Sequence, residues 1–535
     1  MCGMRRERWY GAGWWLIGWL AVAGTQAQPV DLSFLQTRAE ATGYEETTRY
    51  DELMGFLDVL DRASPRLHLT RFGYTTEGRA LPLMVYGALK GAGPGAVRRT
   101  GKTRVFVMAN IHAGEVCGKE AMLMLLRSLA AGRYARWADS LVVMVAPIYN
   151  ADGNERVNLF NRPRQHGPVG GMGQRPNAQG LDLNRDHVKL DSPEARSLVR
   201  LLNDYDPHVV VDLHTTNGTV HAYHLTYAPP LHPNTDAGIV ALLRNVWLPE
   251  VTDIVREKYG WDFYYYGNLP SPGSERARGW YTFDHRPRFS TNYAGLRNRF
   301  AILSEAYAYA TFEERVQATL RFVEEVLHFA YANATVIRKR TAAADAGVVV
   351  GRPLALTARP APSAEPVEIL LGAVAEEQNP YSGAVMLRRR DVRRPERMTE
   401  YGTFVPVETV PAPAAYVVPA SLAAVRDRLQ AHGIRFTVLG TERPATVERF
   451  RIDSVHVAER PYQNRHLRTL YGGYEPAETT LPAGALVVPV DQPLGRLAFT
   501  LLEPRSDDGL ATWGLLDEAL EGATYYPILR LPAGE

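Results

Sequence analysis

Cysteine is nearly absent from this chain: its 535 residues contain two, Cys2 and Cys117. Net charge is nearly absent as well, at +2 with histidine neutral. Long apolar runs are confined to one place, Trp9–Gly24. Each scarcity excludes something. Without an excess of basic residues there is no global reason to bind nucleic acid or anionic membranes. Without a second long apolar run there is no further segment to span a bilayer. A composition of 46% hydrophobic and 22% charged residues excludes a disordered or fibrous chain. The length implies two or three domains.

Arg5, Arg6 and Arg8 precede the apolar run, and Thr25-Gln26-Ala27 supplies small residues after it. This is the layout of a secretory signal peptide over residues 1–27. The run falls short of the roughly 20 residues that span a bilayer comfortably, so no stable membrane span is expected after its removal. Removal takes away three Arg and one Glu, and the net charge falls from +2 to 0. It also takes Cys2 and leaves Cys117 alone, which rules out an intrachain disulfide. Export without disulfides suits a secreted or periplasmic enzyme of a bacterial envelope. Cys117 reads as a small buried apolar residue.

Between Tyr50 and Phe329, short apolar runs alternate with amphipathic ones. Leu81–Gly87, Arg104–Asn110, Leu141–Ile148, His208–His214 and Phe300–Glu305 read as buried strands. Glu115–Leu129, Ser192–Tyr205 and Thr311–Phe329 read as helices. Ser192 with Pro193 and Thr311 with Glu314 provide N-terminal caps. Such alternation predicts an α/β sheet covered by helices on both faces. After Asn333, Thr341–Gly347 and Arg359–Pro366 look like linkers. Short β runs broken by Pro and Gly follow, with one clear helix, Ser421–Gly433, stopped by glycine.

Polar residues stand where three of these strands end. His112 and Glu115 follow the strand-like Arg104–Asn110, His214 closes His208–His214, and Glu305 closes Phe300–Glu305. Ligands of open α/β sheets bind in the crevice outside the strand carboxyl ends. The same His-x-x-Glu spacing recurs at His456–Glu459, but inside an alternating strand with no matching distant His. Two imidazoles, one carboxylate and an open position suit a single zinc ion. The small Ala113 and Gly114 allow the tight turn that would bring His112 and Glu115 to one ion.

The motifs resemble the zinc carboxypeptidase family typified by carboxypeptidase A, over about 280 residues and in the family's order. They are the Tyr50–Gly87 opening with its Glu77-Gly78-Arg79 turn, His112-Ala113-Gly114-Glu115, Asn150–Gly153, Gly180–Asp186, Asp212–Gly218 and Ile302–Tyr309. The resemblance implies zinc ligands His112, Glu115 and His214, with Glu305 as general base and then general acid. It implies that Asp182 orients His112 and that Asn184 and Arg185 hold a substrate's terminal carboxylate. It implies an Arg that stabilises the oxyanion, for which Asn158–Gly167 offers Arg162 and Arg164, with Arg164 preferred. It also implies a substrate-capping Tyr, for which Tyr281 and Tyr293 are offered and Tyr293 is preferred. Digestive members carry Ser-Arg where this chain has Ala113-Gly114, so one substrate contact of theirs is missing. The aromatic run Trp261–Gly273 has no counterpart and reads as a rim or pocket loop.

The expected organisation is a signal peptide at 1–27 and a catalytic domain at 28–335, with a mixed sheet between helices. A linker and first β run follow at 336–366, then a smaller β-rich accessory domain at 367–535. The expected activity is hydrolysis of C-terminal peptide bonds by zinc-activated water, with peptide or protein C-termini as partners. The competing readings are a stem-peptide amidase of peptidoglycan on the same fold and a peptide-binding protein without turnover. The basic run Leu387–Arg397 reads as a solvated face.

Overall fold

The computed structural model describes residues 31–216 and 218–533. The expected signal peptide lies outside the described residues. The central sheet contains β1 (Leu67–Tyr74), β2 (Ala80–Tyr86), β3 (Thr103–Ala109), β4 (Leu141–Ala146), β5 (Val209–Thr215), β6 (Leu225–Ala228) and β7 (Phe263–Tyr265). The two-residue β8 (Trp280–Tyr281) lies apart, paired with Glu400–Tyr401, and β9 (Phe300–Ala306) returns to the sheet. The strand order is β1-β2-β4-β3-β5-β9-β6-β7. The inner block β4-β3-β5-β9 is parallel. The pairs β1/β2, β2/β4 and β6/β9 are antiparallel, so the sheet is mixed.

Parallel strands buried on both faces need continuous apolar runs. Every residue of β3, β4 and β5 is buried. Successive side chains point to opposite faces. Val105, Val107 and Ala109 therefore join one core with the helices Cys117–Ala130 and Phe312–Ala332. Phe106 and Met108 join the other with Pro193–Tyr205 and Ser290–Leu296. The caps form as the sequence suggests. Ser192 accepts from the Ala195 amide, and Thr311 and Glu314 make a reciprocal capping box.

One feature of the C-terminal half differs from expectation. Thr341–Asp345 finish a helix, Ala334–Asp345, where a linker was expected. Alanine is the strongest helix former, and Ile337 and Ala344 are buried against the sheet's helical layer. The β-rich region has a small core of its own, with Val417, Val447, Leu481 and Leu531, and shares a larger one with the central sheet. Tyr416, Val488, Phe499 and Trp513 belong to the same apolar core as Phe106 and Val210 of the central sheet. Its main sheet includes Ala415–Val418, Arg443–Val457, Arg468–Leu481 and Leu486–Pro489. The similar segments Ala415–Pro419 and Ala485–Val490 are neighbours in that sheet, with Ala415 opposite Pro489 and Val418 opposite Leu486. Among the described residues, no helix is long and apolar enough to cross a membrane.

Several histidines are buried in this double core. Burial lowers the pKa of His208, His221, His232 and His432 from 6.5 to about 3, and that of His224 to about 4. Each binds its proton more weakly folded than unfolded, so its stabilisation is full above pH 6.5 and is lost as pH falls. The melting temperature of the metal-free protein should therefore hold between pH 8 and 7 and drop between pH 6.5 and 5. A flat profile across that lower range would contradict the burial of neutral imidazoles.

Candidate metal centre and active site

The site begins with a turn. β3 ends at Ala109, and Asn110 takes a left-handed conformation with φ 64°, which asparagine tolerates better than most residues. The Glu115 amide then donates to the His112 carbonyl at 2.8 Å, which closes a tight loop. A Cβ on Gly114 would lie 2.8 Å from the Gly173 carbonyl and 2.9 Å from Arg162 Cδ. The missing side chain is therefore a packing requirement, and the space that an arginine would need here belongs to Arg162. His214 arrives from β5, and its register partner on β9 is Glu305. Sheet order alone thus brings the three strand ends together.

The ring nitrogens are ordered by two outer carboxylates. His112 Nε2 lies 3.1 Å from Asp182 Oδ1, and His214 Nε2 lies 2.8 Å from Asp212 Oδ2. Ser290 Oγ donates to the same Asp212 oxygen. The opposite nitrogens face inward. His112 Nδ1 and His214 Nδ1 are 3.2 Å apart, and they lie 3.1 and 3.0 Å from the two oxygens of Glu115. All three residues are buried. With Nε2 of each ring carrying the proton toward its aspartate, the Nδ1 lone pairs point at one another. Glu115, an acceptor, cannot serve two unprotonated Nδ1 atoms. One ligand atom from each of His112, Glu115 and His214 lies within 4.8 Å of the others. This donor set fits a cation, and two nitrogens with one oxygen fit zinc in particular.

Electrostatics supports the arrangement. Burial opposes the charge on Glu115, but His112 and Arg162 outweigh it and hold the carboxyl well below its ordinary pKa. Burial likewise opposes the charge on Asp182, and His112, Arg175 and Arg185 outweigh it. Glu305 behaves differently. Burial, helped by the nearby charge of Glu115, raises it to about 8. Its Oε2 is buried and has no hydrogen-bond partner among the described residues.

A cavity of about 260 Å³ collects these groups. His112, Glu115, His214, Glu305, Asn184 and Arg185 line it, with Arg162, Arg175, Tyr266, Phe283 and Phe289 among the remaining walls. Asn184 Oδ1 accepts from the Ser290 amide at 2.9 Å, which leaves its NH₂ as the donor for a ligand. Arg185 stacks on Phe289, with the guanidinium carbon 4.0 Å from the ring centre.

Two of the preferred residues lie elsewhere. Arg164 is exposed, and its backbone carbonyl accepts from Leu387. Arg162, its alternative, is the one turned inward, by a left-handed backbone with φ 51° and by the space beside Gly114. Its Nη1 donates to Glu115 Oε1 at 2.6 Å. Tyr293 is fully buried, and its hydroxyl meets His432 Nδ1 at 2.8 Å. Tyr281 stacks on Tyr401 away from the cavity. The tyrosine that lines the cavity is Tyr266, from the aromatic run after β7. Sequence reasoning also missed Arg175 and Asp212. Arg175 clamps Asp182 Oδ2 through Nε and Nη2 at 3.0 and 2.8 Å. Asp212 sits two residues before His214 on one strand, hence on the same face, a spacing that could have marked it.

Residues 53–246 match the family model Peptidase_M14, zinc carboxypeptidase. The chain is 26% identical to Carboxypeptidase 2 of Trichophyton equinum over 96% of its own length and 92% of that protein's. It is 25% identical to Carboxypeptidase 2 of Trichophyton rubrum, over 92% and 88% of the two lengths. A solved metallo-carboxypeptidase from Burkholderia cenocepacia superposes with a TM-score of 0.40 at 16% identity, covering 53% of this chain and 69% of that one. Over residues 53–246 the chain is similar to the zinc carboxypeptidase family, and the relatives that match nearly its full length are carboxypeptidases, which are peptidase hydrolases. The matched span holds His112, Glu115, Asp182, Asn184, Arg185 and His214, while Glu305 lies beyond it.

Outer carboxylates orient ligating imidazoles, and their loss typically weakens metal binding about 10- to 100-fold. Asp212→Asn and Asp182→Asn should each lower zinc affinity by that order in competition with a chromophoric chelator. Asp453→Asn, on the exposed face of the C-terminal sheet, should leave it unchanged. Wild-type affinity in both site variants would contradict the assigned orientation of the rings.

Proposed function

We propose that the protein is an exported zinc carboxypeptidase that removes single residues from the free C-termini of peptides. The observation that carries this reading is the cavity itself. Its walls carry both the inward-facing nitrogens of His112 and His214 with Glu115 and the side chains of Asn184 and Arg185. That is a hydrolytic centre beside a carboxylate clamp. Zinc held by His112, Glu115 and His214 would polarise a carbonyl and lower the pKa of water to about 7.

The chain's own groups divide the remaining work. Arg185 presents a planar fork and Asn184 an amide donor to the substrate's α-carboxylate. This sets which bond reaches Glu305. Glu305, whose Oε2 has no hydrogen-bond partner among the described residues, takes the proton of the attacking water and returns it to the leaving amine. Arg175 is the better candidate than Arg164 for the developing oxyanion, because it lines the cavity and its fork is held by Asp182. Arg162 is already committed to Glu115 and to the carbonyls of Thr215 and Thr216. The basic, apolar and small-residue layout of residues 1–27 supports export.

Phe283, Phe289, Thr291 and Leu303 line the cavity, and among the described residues Glu115 and Glu305 are its only acidic lining groups. A basic substrate side chain would find no spare counter-ion there. Release of C-terminal Phe or Leu should exceed release of Lys by at least about tenfold in kcat/KM, the order expected for apolar contacts in such a pocket. Equal rates for Lys would overturn this preference. For the chemistry, Glu305→Gln should retain one zinc per chain and lose roughly 10²- to 10⁴-fold in kcat. Chelation should abolish turnover and added zinc restore it. A Glu305→Gln variant with full activity would remove Glu305 from the mechanism.

A further inference from the structure

The C-terminal region reaches into this site. Its two long strands, Arg443–Val457 and Arg468–Leu481, pair antiparallel. Their connection carries a turn at Tyr462–Arg465. The Tyr462 and Arg465 amides and carbonyls bond reciprocally, at 2.8 and 3.1 Å. The two central residues are both left-handed, Gln463 at φ 52° and Asn464 at φ 63°. Asparagine tolerates this conformation, but glutamine there is an outlier that only a fixed environment maintains.

What fixes it is contact with Asp191 and Arg288 of the catalytic half and with Trp513 of its own half. Arg465 Nε and Nη2 hold Asp191 at 2.7 and 2.8 Å. The Tyr462 ring stacks with Trp513, and the Arg288 guanidinium lies over both rings. So anchored, the turn places two polar atoms. Tyr462 Oη accepts from Arg185 Nε at 2.9 Å. Gln463 Oε1 accepts from the Asp182 backbone amide at 2.8 Å. These partners are the carboxylate clamp and the residue that orients His112.

We propose that the Tyr462–Arg465 turn is a positioning element of the active site: Tyr462 sets the fork of Arg185 for the substrate's α-carboxylate, and Gln463 holds the segment that carries Asp182. The inference rests on the proposed carboxylate clamp. Arg185 spends Nη1 on the Asn184 carbonyl, Nε on Tyr462 and one face on Phe289. Those three contacts fix the plane of the guanidinium and leave Nη2 for a ligand. Without the Tyr462 hydroxyl the guanidinium can rotate about its long stem, and a carboxylate held on Nη2 loses its geometry. On this view the β-rich half is part of the substrate site.

The test separates binding from turnover. Affinities of a free-acid peptide and its C-terminal amide are measured by calorimetry on the full zinc-loaded chain carrying Glu305→Gln, with and without Tyr462→Phe. Tyr462→Phe keeps the ring and its stacking. It should weaken the free acid by roughly tenfold, the order of one hydrogen bond to a charged group, and leave the amide unchanged. Zinc content and melting temperature should not move. Gln463→Gly, which relieves the left-handed strain, should retain stability and lower zinc affinity. If Tyr462→Phe keeps full acid-over-amide discrimination, the positioning role is overturned and the carboxypeptidase reading stands. If the parent chain shows no discrimination, the clamp itself fails and this inference fails with it.

Discussion

Everything at the site depends on a pair of imidazoles that face each other in a buried space. The inward nitrogens of His112 and His214 are 3.2 Å apart, with both oxygens of Glu115 beside them. In water such a cluster would scatter. Here Asp182 and Asp212 take the outward nitrogens and fix both rings. A protein interior does not leave two facing imidazole lone pairs unpaired cheaply, and a divalent cation is the partner that takes both together with Glu115. The sheet exists, from the viewpoint of function, to hold that unsatisfied arrangement open.

The strand order explains how. β3 lies between β4 and β5, so the chain leaves β3 toward one neighbour and later returns on its other side. The carboxyl ends of β3, β5 and β9 therefore stand side by side, and a crevice opens there. Gly114 lets Arg162 and the Gly173 carbonyl close over the first ligand turn. The second half of the chain adds cover on one face of the sheet through a shared apolar core. The exposed His456 and Glu459 lie on the strand and connection that deliver Tyr462 and Gln463. Their spacing imitates the ligand turn, and their neighbours serve the real site.

Much of this was legible in the sequence because it is periodic or local. Continuous apolar runs marked β3, β4, β5 and β9, and polar residues at their ends marked His112, Glu115, His214 and Glu305. Asp182, Asn184 and Arg185 were legible only through the resemblance of Gly180–Asp186 to the family's segment. What was hidden depends on tertiary direction. Arg162 and Arg164 are two residues apart, and a single left-handed residue decides which one turns inward. Tyr293 looked available, yet it faces a core that only the C-terminal half completes, where His432 receives its hydroxyl. Arg175 is in the cavity because it reaches back to Asp182 across a loop. The alanine-rich Thr341–Asp345 read as a linker from composition, but its apolar neighbours had a helical layer to pack against. No local pattern announces that a hairpin from residues 443–481 ends beside residue 185.

The central claim is that hydrolysis here is directed to the last peptide bond by a free α-carboxylate. It is tested most directly by following products by mass spectrometry when the zinc-loaded protein meets a free-acid peptide, its C-terminal amide and a peptidoglycan stem peptide. The account predicts stepwise loss of single C-terminal residues from the free acid and none from the amide. Cleavage of the amide at the same rate, or cleavage confined to the stem peptide, would contradict it.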